Sequence, residues 1–163
     1  MKSIFIITED AYGCGFFKGV VRRINPKIKV RCNMAGAWDP KKVRIFLSTD
    51  ADLVIDCLDA DGQDTNKITN DQYDLFKKNV RNLSSTEILK KLKIVVFKYE
   101  VEEWIIFSNN MKLFGNKPSE VLWEKMKYEK LKLPQYASTI DLDALEQKGV
   151  ESFIEFKRAV NDP

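Results

Sequence analysis

The chain has 163 residues, of which 44% are hydrophobic and 31% charged, and its formal net charge is +3. This size and composition are typical of one globular domain, and no apolar run approaches the roughly 20 residues of a membrane span. The chain contains no histidine, which excludes a histidine general base, a Ser-His-Asp or Cys-His nucleophile system and histidine-ligated zinc or iron. Catalysis would therefore depend on carboxylates, lysines, tyrosines or a metal with oxygen ligands, which favours Mg²⁺ or Mn²⁺.

The N-terminal segment and the cysteines predict the cellular setting. MKSIFIITED has one lysine and an apolar stretch too short for a signal peptide, so it predicts the first strand of a cytoplasmic protein. Cys14, Cys32 and Cys57 are odd in number and show no paired spacing. This pattern predicts buried free thiols, and neither a disulfide framework nor a zinc site is indicated.

Strands and helices are predicted to alternate over residues 1–100. SIFIIT, KIKVRC, DLVIDCL and KIVVFKY are rich in β-branched and aromatic residues and predict four strands. The predicted helices are GCGFFKGVVRRI, a segment that begins at Asp39-Pro40, a segment containing Tyr73, Phe76 and Val80, and a short segment capped by Ser84 or Ser85. Such alternation predicts an α/β fold with a mostly parallel four-stranded sheet and flanking helices.

No strand is evident from residue 101 onwards. WIIFSNNMKLF, PSEVLWEKMKYEKL, DLDALEQKG and ESFIEFKRAV all show helical apolar spacing. We expect this part, residues 101–163, to be a helical extension packed on the α/β core of residues 1–100, so that residues 1–163 form a single domain. Tyr128 and Lys130 fall in a charged amphipathic stretch, which predicts that both are exposed.

Charge is distributed unevenly along the chain. Nine basic residues and one acid lie between Ala11 and Thr49, whereas six acids and no base lie between Asp50 and Asp64. One interpretation is two solvated faces of opposite sign. The other is an acidic metal-binding pocket beside a surface that attracts phosphate, with nucleic-acid contacts from Lys18, Arg22 and Arg23.

Acidic residues follow two of the predicted strands. Glu9 follows the first strand, and Asp59 and Asp61 follow the third. Ligands of open parallel sheets bind at the carboxyl ends of strands, so these acids would converge if the two strands are neighbours. Strand alternation would place Asp59 and Asp61 on one side, and Gly62 would permit a sharp turn. The alternative is that Glu9 caps a helix and that the aspartates are turn residues.

The order of these motifs resembles the Toprim family, the domain of topoisomerases, primases and overcoming-lysogenization-defect nucleases. IFIITED carries the glutamate that ends one strand, and LVIDCLDADG carries the later Asp-x-Asp-Gly. More narrowly, FF after Glu9, then VEEWIIF, KMKYEK and SFIEFKRAV, are similar to small stand-alone Toprim-like proteins of prokaryotic defence and mobile-element neighbourhoods. Asp10 and Gly13 depart from this pattern, because the group usually has a glycine and often a second carboxylate at these two positions.

The resemblance implies a Toprim-like, Rossmann-like fold with Mg²⁺ or Mn²⁺ bound by Asp59 and Asp61. Glu9 would be a further ligand or the general acid/base in phosphodiester cleavage or transfer, and Asp10, Asp64 and Glu102 are additional candidates. The expected protein is a metal-dependent nuclease, or another nucleic-acid-processing protein, that acts on DNA or RNA. A partner ATPase or a second copy of the chain would be its protein partner, and no membrane is involved. The alternative is a catalytically inactive module that binds nucleic acid or a partner protein.

Two other classes of protein share part of the aspartate pattern and rank lower. Phosphoryl-transfer enzymes of the haloacid dehalogenase type also have a strand that ends in Asp-x-Asp, but they normally have Ser or Thr where this chain has Gln63. An EF-hand loop requires glycine where this chain has Asp64 and a closing glutamate where it has Asn70.

Overall fold

The structure, a computed structural model, describes residues 2–162. Four strands form one all-parallel sheet in the order β2-β1-β3-β4. Their bounds are Ser3–Thr8 for β1, Lys29–Met34 for β2, Leu53–Asp59 for β3 and Leu92–Phe97 for β4. The predicted α/β class and the predicted four-stranded sheet are therefore confirmed.

Helices occupy each crossover between consecutive strands, because parallel strands cannot be joined by a tight turn. They are α1 (Ala11–Ile24), α2 (Lys41–Ser48), α3 (Thr65–Asn79) and α4 (Ser85–Lys91). Ser84 caps α4, and its hydroxyl accepts a hydrogen bond from the backbone N–H of Glu87 at 3.2 Å. All four helices were predicted from the sequence, with small shifts at their ends.

Both faces of the sheet are covered, and β3 contributes alternately to each. Leu53 and Ile55 belong to the core on the face that α1 covers, whereas Val54 and Leu58 pack with α2, α3 and α4 on the second face. Since neither face of β3 meets solvent, β3 is a nearly continuous apolar run. Asp56 interrupts this run at 1% exposure.

The helices that follow β4 pack on the face that α1 covers. Their bounds are α5 (Glu103–Ser108), α6 (Pro118–Met126), α7 (Leu133–Tyr136), α8 (Leu142–Gln147) and α9 (Glu151–Asn161), with a 3₁₀ turn at Lys130–Lys132. Trp104 is fully buried, and its ring centroid lies 5.1 Å from that of Phe97 and 5.3 Å from that of Phe153. Its Nε1 donates to Ser152 Oγ at 2.8 Å. Among residues 2–162, no helix is both long enough and apolar enough to cross a membrane.

Two predicted helices end earlier than their apolar pattern indicated. The helix in WIIFSNNMKLF stops at Ser108, and Asn110 soon follows with a left-handed φ of 56°. The helix in PSEVLWEKMKYEKL stops before Lys127, whose φ is 55°. The chain then turns Tyr128 into the core at 3% exposure. The prediction that Tyr128 and Lys130 lie on an exposed helical face is therefore wrong.

The cysteines also differ from the prediction. Cys14 and Cys32 form a disulfide that joins the start of α1 to β2, while Cys57 is a buried free thiol. The prediction of a buried free thiol is therefore wrong for Cys14 and Cys32, and it is confirmed for Cys57. The paired residues are 18 positions apart, and only the packing of α1 against β2 brings them together.

A buried ion pair lies on the second face of the sheet. Lys42 Nζ is 2.7 Å from Asp56 Oδ2, and both side chains are 1% exposed. Neither Asp56 oxygen has a hydrogen bond of good geometry among the described residues, so charge attraction holds the pair. Burial raises the pKa of Asp56, and Lys42 opposes that shift. The Lys42 ammonium also donates to Gln72 Oε1 at 2.7 Å and to the Ala37 carbonyl at 3.3 Å.

Replacing Lys42 alone is predicted to destabilise the protein strongly. Lys42→Met leaves the Asp56 carboxylate buried without its counter-charge, a loss of about 3–5 kcal/mol in the free energy of unfolding. The double variant Lys42→Met/Asp56→Val removes both charges and should regain most of that loss. Urea unfolding of both variants at pH 7 measures this difference. A single variant as stable as the wild type would contradict a desolvated pair.

Candidate functional site

Three acids line one pocket at the carboxyl edge of the sheet. β1 and β3 are neighbours, as the convergence of these acids requires. The backbone N–H of Asp59 donates to Glu9 Oε2 at 3.4 Å. Glu9, Asp59 and Asp61 line a pocket of about 290 Å³, which we call the acid pocket. Its other lining residues include Ala37, Trp38, Asp64, Lys67 and Gln72.

A left-handed turn positions Asp61. Asp61 has a φ of 51° and Gly62 a φ of 82°, a region that glycine adopts without strain. The backbone N–H groups of Ala60, Asp61 and Gly62 donate to the carbonyls of Phe97, Tyr99 and Lys98 at 2.8, 3.0 and 2.9 Å. The turn is therefore fixed to the end of β4. The predicted strand alternation is wrong beyond Asp59, although Asp59 and Asp61 do line the same pocket.

Burial, together with repulsion from nearby acids, raises the pKa values of Glu9 and Asp59. Burial raises the pKa of Asp59 to about 8, the charge of Glu9 adds to this shift, and Lys130 opposes it. Burial also raises the pKa of Glu9, while the Asp59 N–H and Lys42 oppose that shift and Asp61 adds to it. Asp59 therefore carries a proton over most of its population at neutral pH. Such shifts are typical of functional sites.

A second charged cluster, formed by Asp10, Glu102, Tyr128 and Lys130, adjoins Asp59 on the face that α1 covers. Lys130 Nζ is 2.8 Å from Glu102 Oε2 and 3.4 Å from Asp10 Oδ2. The Tyr128 hydroxyl donates to Glu102 Oε2 at 2.7 Å. Glu102 is fully buried, and its Oε1 has no hydrogen-bond partner among the described residues. Within this cluster, which we call the Lys130 cluster, Lys130 is the cation that lowers the pKa of Asp59.

The three additional candidates each have a partner within the protein. Asp10 caps α1, where its Oδ1 accepts from the Gly13 N–H at 2.8 Å. Asp64 caps α3 and accepts from the Asn66 N–H at 2.9 Å. Glu102 is held in the Lys130 cluster. Of these three, only Asp64 lines the acid pocket.

The two departures from the Toprim pattern have local structural reasons. Asp10 is the N-cap of α1, so it supplies an acceptor that a glycine at this position would lack. A side chain at position 13 would collide with the Thr8 hydroxyl. A second carboxylate therefore does not fit at position 13 unless the Thr8 side chain moves.

The predicted nucleic-acid contacts lie away from the acid pocket. Lys18, Arg22 and Arg23 are on α1, and none of them lines it. The Arg23 guanidinium donates to the carbonyls of Ala137 and Ile140 at 3.0 and 2.7 Å, so it ties α1 to the C-terminal helices.

Sequence reasoning missed two residues near the acids. Trp38 lines the acid pocket and is 62% exposed, and Lys130 pairs with Asp10 and Glu102. Trp38 lies in the loop between β2 and α2, where an aromatic residue carries no periodic signal. Lys130 looked like one charge among many on a helix.

The donor chemistry of the acid pocket fits a hard divalent cation, but the arrangement of its side chains does not provide a ligand set. Among residues 2–162, no group of three or more acidic or thiol side chains is arranged to hold a metal ion. Asp59 Oδ1 instead accepts from the Val101 N–H at 3.1 Å, and Glu9 Oε2 faces the Asp59 N–H. Binding of a cation would require one or both carboxylates to leave these donors.

Comparisons of the chain with protein-family models, with curated proteins and with solved structures gave no match. The resemblance to the Toprim family therefore stays a prediction from motifs. The functional argument rests on the geometry and electrostatics of the acid pocket.

Asp59→Asn is predicted to stabilise the protein at alkaline pH. The pKa of Asp59 is about 8 in the folded state against an ordinary value of 3.8, so the folded state binds one proton more than the unfolded state between these two pH values. The free energy of unfolding therefore falls as pH rises through this window. Asparagine cannot ionise, and the variant should gain about 1–3 kcal/mol over wild type at pH 8 and almost nothing at pH 4.

Chemical unfolding at pH 4, 6 and 8 measures this gain. Asp74→Asn, at an exposed position on α3 outside the acid pocket, is the matched control and should show no pH-dependent gain. A variant that is less stable than wild type at pH 8 would contradict the raised pKa.

Proposed function

We propose that the acid pocket is the active site of a divalent-cation-dependent protein that cleaves or transfers phosphodiester bonds of nucleic acid. One observation carries the proposal: two half-buried carboxylates with raised pKa values lie at the ends of neighbouring parallel strands, beside a third acid in the same pocket. Acids held close together destabilise the folded state, and such destabilising arrangements are commonly found at functional sites.

Glu9, Asp59 and Asp61 are the residues that would hold Mg²⁺ or Mn²⁺, once Glu9 and Asp59 have turned away from the backbone N–H groups that they accept from. A bound cation of this kind supplies an activated water and offsets the charge that develops on a phosphoryl group. The proton on Asp59 would have to leave before its carboxylate could act as a ligand. Cation binding therefore strengthens as pH rises towards 8.

Glu9 is the candidate for proton transfer in the acid pocket. Burial raises its pKa above the ordinary value of a glutamate, and a raised pKa is typical of carboxyl groups that act as general acids or bases. Lys130 is held by Asp10 and Glu102, so its charge remains fixed beside Asp59. Lys67, at the rim, pairs with Asp71 at 3.0 Å and has a side chain that is 74% exposed. It is the lysine of the acid pocket best placed to meet a phosphate.

Cleavage of labelled single- and double-stranded DNA and RNA tests this function. Wild-type protein should cut at least one substrate with Mn²⁺ or Mg²⁺, and chelation with EDTA should abolish cutting. Asp59→Asn and Glu9→Gln should each lower the rate by about a hundredfold or more, whereas Asp74→Asn should leave it unchanged. Intact substrates under conditions where Mn²⁺ binding is measured would overturn the catalytic proposal.

A second candidate function is a non-catalytic module that binds nucleic acid or a partner protein. It is favoured by the hydrogen bonds that hold Asp59 and Glu9, and by the ion pairs that already engage Asp10 and Glu102. Such a module would bind in EDTA, would lose affinity with rising salt if nucleic acid is its ligand, and would tolerate Asp59→Ala. Binding that requires the cation and is lost in Asp59→Ala would exclude it.

A further inference from the structure

An exposed tryptophan stands beside the acids of the acid pocket. Trp38 lines the same pocket as Glu9, Asp59 and Asp61, and 62% of it is exposed. Tryptophan is usually well buried, because exposing its large apolar ring to water costs free energy. An exposed indole at the mouth of a polar pocket is therefore available to a ligand.

The loop that carries Trp38 is held in place from within the protein. The Ala37 carbonyl accepts hydrogen bonds from Lys42 Nζ at 3.3 Å and from Gln72 Nε2 at 2.9 Å. Lys42 and Gln72 are both fully buried, and Lys42 is in turn paired with Asp56 at 2.7 Å. Ala37, the residue before Trp38, is thus hydrogen-bonded to side chains that are buried on the second face of the sheet.

The residue after Trp38 is also anchored. The Asp39 N–H donates to the Gly36 carbonyl at 3.1 Å, and Asp39 Oδ1 accepts from the Lys41 N–H at 2.9 Å. Hydrogen bonds to the backbone hold the loop on both sides of the indole, so the loop loses little conformational entropy when a ligand binds.

We propose that Trp38 stacks on an unpaired nucleobase of a single-stranded nucleic acid whose phosphate backbone enters the acid pocket. This inference rests on the proposed function and names its substrate class. Stacking on an aromatic ring requires an accessible base face, and a duplex hides those faces within its own stack. Lys67 also lines this pocket but is paired with Asp71, so entry of the phosphate backbone depends on the divalent cation of the proposed function, which offsets the charge of the acids.

The other two tryptophans provide controls within the same chain. Trp104 is fully buried in the core, so it does not meet a ligand. Trp123 is 48% exposed on α6, where Lys127 Nζ lies 5.1 Å from its ring centroid, and it does not line the acid pocket. Trp123 is therefore an exposed tryptophan like Trp38, but it lies outside the acid pocket.

The experiment uses the full chain with Trp123→Phe, so that Trp38 is the exposed fluorophore. Single-stranded DNA of about 12 nucleotides, a duplex of the same sequence, single-stranded RNA and a mononucleotide are titrated with Ca²⁺ as the hard cation. We expect saturable quenching by a single-stranded DNA or RNA and much weaker quenching by the duplex. Quenching by the mononucleotide alone would overturn the assignment to a strand.

Affinity is then measured by anisotropy of a labelled strand. Trp38→Ala should weaken binding of the single strand about tenfold, Trp38→Phe should retain most of it, and Trp123→Ala should leave it unchanged. Circular dichroism and thermal unfolding show that each variant is folded, as expected for substitutions at exposed positions.

The failure of this inference is distinguishable from failure of the proposed function. If Trp38→Ala binds and cleaves the single strand like wild type while cleavage still needs the cation, the stacking role is wrong and the proposed function stands. If Trp38→Ala loses the tenfold affinity but wild type cuts nothing with Mn²⁺, the catalytic proposal is wrong and the stacking role stands.

Discussion

The desolvation of two neighbouring carboxylates is the constraint on which the account of this molecule depends. Glu9 follows β1 and Asp59 ends β3, two adjacent strands of the sheet, and both side chains are half-buried. Two lysines oppose their charge from opposite faces. Lys42 lowers the pKa of Glu9 from the second face, and Lys130 lowers the pKa of Asp59 from the face that α1 covers. Neither lysine offsets the effect of burial, so the pKa of each acid stays above its ordinary value.

Each of these lysines is also tied to the architecture around the acid pocket. Lys42 holds the loop that carries Trp38 through the Ala37 carbonyl, and its own charge is held by Asp56. Lys130 is fixed by Asp10, the cap of α1, and by the buried Glu102. The contacts of Lys42 therefore affect both the pKa of Glu9 and the position of the loop that carries Trp38. This coupling explains why the proposed catalytic and stacking roles meet at one edge of the sheet.

The sequence could predict the strands from local patterns, and it could predict the meeting of Glu9 with Asp59 on the condition that their strands are neighbours, which the sheet order fulfils. β-branched runs mark the strands, and neighbouring parallel strands bring their carboxyl ends together. It could not predict Asp61 in a left-handed turn, which depends on carbonyls at the end of β4. The Cys14–Cys32 disulfide and the burial of Tyr128 also depend on contacts between segments far apart in sequence. Trp38 carried no signal, since a single aromatic residue in a loop has no periodicity.

The ionisation of Asp59 is the most direct test of this account. The carboxyl carbon of Asp59 can be followed by ¹³C NMR between pH 4 and 10, first without and then with Mg²⁺. The account predicts a midpoint near pH 8 without the cation, in line with the raised pKa, and a lower midpoint when Mg²⁺ competes with the proton. A midpoint near 3.8, the ordinary value of an aspartate, unmoved by Mg²⁺, would contradict it.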